Sequence, residues 1–118
     1  MPLEHDERRS QQRVPVQLRT VYHDEIDPEL SDGLMSNLSL GGCFIRTKRP
    51  LENGAKVRLK FKLAEGEPPI EAAGLVRWGC RGKGDEDGMG IQFEEISATD
   101  LNLLKRFVEA RIQELLFS

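Results

Sequence analysis

Cysteine and histidine are scarce in this 118-residue chain, with two of each. Cys43 and Cys80 are too few for a disulfide framework, so a reducing cytoplasm is the expected compartment. His5 and His23 stand apart from both cysteines and in no zinc-like spacing, which argues against a metal site. Neither cysteine has a histidine-bearing motif beside it, so buried, inert thiols are expected and not nucleophiles. No apolar run approaches the ~18 residues of a membrane helix. The stretch from Met1 to Asp6 has no apolar core segment, so neither membrane insertion nor a secretory signal is expected. No phosphate-cradling glycine loop is present: Gly88-Met89-Gly90 is short and leads into a strand, not a helix. Glu94 and Glu95 are neighbours on a strand and so point to opposite faces, and Asp85-Glu86-Asp87 reads as a solvated loop. No acid–base pair emerges, and the chain is expected to be non-enzymatic and free of cofactor. Basic charge is not in excess either. Lys and Arg total 17 against 20 Asp and Glu, a net charge of -3, which disfavours DNA or RNA as partner.

The remaining composition, 38% hydrophobic and 31% charged, suits one soluble globular domain. Val14, Val16, Leu18, Thr20 and Tyr22 alternate with polar residues and predict a half-buried strand. An acidic turn follows over Asp24–Asp32, then a short strand over Gly33–Asn37. Gly41-Gly42 marks a bend, after which Cys43–Thr47 is extended again. Lys56–Leu63 is the clearest strand: Val57, Leu59, Phe61 and Leu63 face one way, and Lys56, Arg58, Lys60 and Lys62 the other. Ile70 to Trp78 predicts a longer strand, Gly79–Gly88 a hairpin loop, and Met89, Ile91 and Phe93 one face of a last strand. The period then changes. Ser97 to Asp100 reads as a capping box, with Asp100 reaching back. Leu101, Leu104, Val108, Ile112 and Leu115 recur at helical spacing and predict an amphipathic helix over Asp100–Leu116. That apolar stripe serves either as core packing or as an interface for a partner helix, and the two uses are compatible. Six short strands and one helix predict an all-β fold, a small closed or nearly closed antiparallel barrel capped by a C-terminal helix. No repeat or second domain is visible.

Charge is unevenly spread. Between Arg8 and His23 there is no acidic residue but there are four arginines, Arg8, Arg9, Arg13 and Arg19. Arg9 and Arg13 form an R-x-x-x-R. In a straight strand two such residues lie ~13 Å apart, so the spacing suits a bent arch that turns both inward. Further on, Asn37-Leu38-Ser39-Leu40-Gly41-Gly42 forms an N-x-S-x-x-G. On a strand, Asn37 and Ser39 would share a face, presenting an amide and a hydroxyl at the outer surface. Gly42 would allow a bend and close ligand approach.

Together, in this order, these patterns resemble the PilZ domain family. The resemblance runs through Glu7-Arg8-Arg9, Arg13, Asn37-x-Ser39-x-x-Gly42, Pro50-Leu51, Gly54, Gly74-Leu75-Val76-Arg77-Trp78 and Gly88-Met89-Gly90-Ile91-Gln92-Phe93. Gln11 and Gln12 depart from it, standing where the family often carries an apolar or aromatic residue. The resemblance implies a six-stranded antiparallel β-barrel of the split-barrel type with a C-terminal helix. Residues 1–7 would be a flexible tail and residues 8–118 the domain, its barrel over about 14–94 and its helix over about 98–116. It further implies a receptor for cyclic di-GMP, with Arg8, Arg9 and Arg13 on phosphate and guanine and Asn37, Ser39 and Gly42 on the guanine side. Arginine suits both tasks, since its planar fork binds phosphate or the guanine O6/N7 edge bidentately and stacks on purines. Binding would order the arginine segment and so signal to a downstream protein partner. The alternative is a nucleotide-independent adaptor docking onto motility, pilus or regulatory proteins, suggested by outward Phe44 and by Phe107 and Phe117 beside the helix stripe. Monomer and homodimer both remain open.

Overall fold

The computed structural model describes residues 12–80 and 87–117, the side chains of 78–80 excepted. Six strands are present: β1 Val14–Asp24, β2 Ser31–Leu38, β3 Gly42–Arg46, β4 Lys56–Phe61, β5 Ile70–Cys80 and β6 Gly88–Ile96, followed by helix α1 Ala98–Phe117. They close into a barrel in the order β1-β2-β3-β6-β5-β4, with β4 returning to β1 and every pairing antiparallel. Each strand has a neighbour on both sides, as closure requires, with the short β4 spanning Thr20–Asp24 of β1 and Ile70–Leu75 of β5. The expected all-β barrel with a C-terminal helix is therefore what the chain forms. Several edges of the sequence reading move: Asp24 belongs to β1, Ser31 and Asp32 belong to β2 and not to the preceding loop, β4 stops at Phe61 short of Leu63, β5 runs on to Cys80 and β6 starts at Gly88.

Alternation dictates what fills the barrel. β4 reads exposed–buried throughout, with Val57, Leu59 and Phe61 inside and Lys56, Arg58 and Lys60 outside. Val14, Val16 and Tyr22 from β1, Met35 and Leu38 from β2, and Cys43 and Ile45 from β3 complete much of the interior with Met89 and Ile91 of β6. A barrel this small is packed solid by its own side chains. Tyr22 is buried and still satisfied: its hydroxyl shares a hydrogen bond with Thr47 Oγ1 at 2.7 Å and donates to the Arg49 carbonyl at 2.8 Å.

Helix α1 starts where Ser97 caps it, its Oγ accepting from the Asp100 amide at 3.1 Å. Asp100 does not reach back to close the box. Its carboxylate accepts from the Glu71 amide of β5 at 3.2 Å, tying the first turn of the helix to the sheet. Leu104 and Val108 are the helix residues fully buried against the barrel, with Leu103, Phe107 and Ile112 packed beside them. Phe107 also carries the Arg111 guanidinium 5.1 Å from its ring centroid. The stripe outruns the barrel: Leu115, on the same face, is 53% exposed, and Leu116 and Phe117 are 71% and 83% exposed.

Candidate functional site

The site grows from an irregularity in β2. Met35 faces the core opposite Ile45, and strict alternation would send Asn37 inward as well. Between Met35 and Asn37 the register against β3 slips, two residues of β2 being matched by one of β3. That bulge turns Asn37 outward and returns Leu38, fully buried, to the core. Bulges commonly re-aim a side chain in this way. The sequence holds a trace of it, because Met35 and Leu38 are three apart, an odd spacing that alternation forbids.

On the other flank, Pro15 pairs with Asn37 and Val14 with Leu38. Arg13, one residue before β1, is thereby delivered to the same spot. Its Nη1 donates to Asn37 Oδ1 at 2.6 Å, joining residues 24 apart in sequence. A charge-assisted hydrogen bond of this kind is among the stronger neutral-to-ion contacts. It leaves the Asn37 NH2, a double donor, on the outer surface. The arginine pattern and the asparagine pattern thus meet at one place. Arg8 and Arg9 lie outside the described residues.

Ser39 sits elsewhere than the two-residue spacing suggests. It has left the strand and is 2% exposed, so its hydroxyl does not stand on the outer face beside Asn37. It builds the β2–β3 turn instead. Ser39 Oγ accepts from the Gly41 amide at 3.2 Å and the Gly42 amide at 3.1 Å, and donates to the Gly42 carbonyl at 3.2 Å. The Ser39 amide donates to the same carbonyl at 2.8 Å. All the hydrogen-bonding capacity of the hydroxyl is spent within four residues. Gly42 has an equally local cause: a Cβ there would collide with the Ile91 carbonyl oxygen of β6. Only glycine lets the two backbones come this close.

Cys43, next in line, is fully buried, and burial pushes its thiol up to about 12. A thiol so held stays protonated near neutrality and is no nucleophile. Phe44, noted in the sequence only as outward-facing, is half-buried and lies directly opposite Asn37.

Residues 7–110 match the PilZ domain family. No curated protein matches the chain. Among solved structures, the Bacillus subtilis inhibitor of motility MotI/DgrA is similar at 25% identity and a TM-score of 0.75, over 86% of this chain and 50% of that one. The chain thus spans about half the length of that relative. The PilZ domain of Escherichia coli YcgR, solved with c-di-GMP, is similar at 15% identity and a TM-score of 0.67, over 88% of this chain and 91% of that one. The PilZ domain of CeSA from a cellulose-synthesizing bacterium gives 15% identity and a TM-score of 0.65, over 85% of this chain and 97% of that one.

Proposed function

The chain belongs to the PilZ domain family, and on that premise we propose that it is a non-enzymatic receptor for cyclic di-GMP. Arg8, Arg9 and Arg13 grip phosphate and guanine, Asn37 meets the guanine side, and the Ser39–Gly42 turn fixes the ledge on which Asn37 stands. The observation that carries this reading is the Arg13–Asn37 contact, which unites both ligand-binding patterns at one surface point. Cyclic di-GMP presents two phosphates and two guanines. A guanidinium fork complements either group, and the Asn37 amide offers donors to the O6/N7 acceptor edge. The c-di-GMP held by the YcgR PilZ domain supports the same ligand class. Docking of the arginine segment over the nucleotide then gives the barrel a new surface, which a downstream partner reads. Titration calorimetry tests this with wild type, Arg9→Ala and Arg13→Ala. Micromolar or tighter binding by the wild type, lost in both variants, is expected; equal heats for all three would end the reading.

A second reading, the nucleotide-independent adaptor, is favoured by one observation: Leu116 and Phe117 at the end of α1 stand 71% and 83% exposed. Exposed apolar side chains of this size suit a protein contact. Capture of one partner equally well with and without nucleotide, by an Arg9/Arg13 double variant, would favour it.

A further inference from the structure

Phe44 is flanked by two fully buried residues, Cys43 and Ile45, and its side chain therefore leaves the barrel. Across β2 it faces Asn37, and across β6 it faces Gly90. Directly opposed side chains on neighbouring strands have Cβ atoms about 5 Å apart. The Phe44 ring leans along β6 towards Gly88, where a Cβ would sit 2.6 Å from its Cζ and 2.9 Å from its Cε1. Glycine at position 88 is what lets the ring lie down on bare backbone. Met89 between the two glycines points into the core, so Gly88 and Gly90 leave the outer face of β6 without a side chain over ~7 Å. Both glycines are buried, the first beneath the half-buried Phe44 ring, which stands on the strand next to the Asn37 amide.

We propose that Phe44 is the platform on which one purine ring of the bound nucleotide stacks, with the edge of that ring turned towards Asn37. This rests on the cyclic di-GMP reading and assigns the guanine face, as distinct from its hydrogen-bonding edge, to a named residue. Stacking uses the π-face of any base and is worth a measurable part of the binding free energy.

The test compares Phe44→Tyr with Phe44→Leu. Tyrosine keeps the ring; leucine keeps apolar cover over Gly88 without a π-face. Affinity for cyclic di-GMP is expected to stay within about threefold of wild type in Phe44→Tyr and to fall about tenfold in Phe44→Leu. A guanine H8 proton is expected to move upfield in the complex, through the ring current of the platform, with wild type and Phe44→Tyr. With Phe44→Leu that shift is lost. Should Phe44→Leu fail to fold, the wild-type H8 signal decides alone, and its absence overturns the proposal. Unchanged affinity and an unchanged H8 shift in Phe44→Leu overturn it while leaving the receptor reading standing. Failure of the wild type to bind overturns both.

Discussion

Asn37 and Ser39 are two residues apart and face opposite environments. Asn37 stands on the outer surface in the grip of Arg13, whereas Ser39 is sealed inside a turn that consumes every hydrogen bond it can make. On the proposed reading, one side answers to the ligand and the other to the fold. The outer ledge is a partly exposed amide held by one surface contact, whose loss the barrel is expected to tolerate. The inner turn is backbone packed on backbone, and the fold depends on it.

Variants should separate the two sides. The largest effect is expected from Gly42→Ala, which forces a Cβ against the Ile91 carbonyl. Overpacking of this kind costs about 3 kcal/mol, read as a lowered urea midpoint, and a midpoint equal to wild type would refute the close approach of β3 and β6. Ser39→Ala comes next. It strands the buried Gly42 amide, at about 2 kcal/mol for a buried donor left unpaired, and is expected to weaken nucleotide binding only through the displaced ledge. A smaller effect belongs to Cys43. Its folded thiol is raised from 9.0 to about 12 by burial, so the protonated form is the one the fold favours. That contribution is intact below pH 9 and is lost as pH climbs towards 12. Thermal midpoints taken from pH 8 to 11 should fall more steeply for wild type than for Cys43→Ala, and parallel curves would contradict this. The smallest effect on stability is expected from Asn37→Ala, within about 0.5 kcal/mol for an exposed contact, although the same variant should abolish nucleotide binding. If Asn37→Ala unfolded the barrel, the division between ledge and turn would be wrong.

Much of the fold was legible in the sequence. Period two in Lys56–Leu63 and the switch to helical spacing after Ser97 are local patterns, and local patterns survive folding when one face is buried. Arg13 and Asn37 were legible as chemistry, though their contact across 24 residues depends on β1–β2 register, which no short window carries. Two-residue spacing misplaces Ser39, because by that point the chain has left strand geometry and entered its turn. The bulge before Asn37 shows only as the odd Met35–Leu38 interval. Asp100 caps β5 instead of its own helix because the Glu71 amide comes within reach only once the barrel is closed. Phe44 reads as outward-facing from alternation alone, but its neighbours Asn37, Gly88 and Gly90 come from two other strands.

Amide-resolved nuclear magnetic resonance during titration with cyclic di-GMP tests the central claim most directly. The account predicts that shifts concentrate at Arg13, Asn37, Gly41, Gly42 and Phe44 and spare the outer face of β4. Saturation with no shift at Arg13 and Asn37, or a response centred on β4, would contradict it.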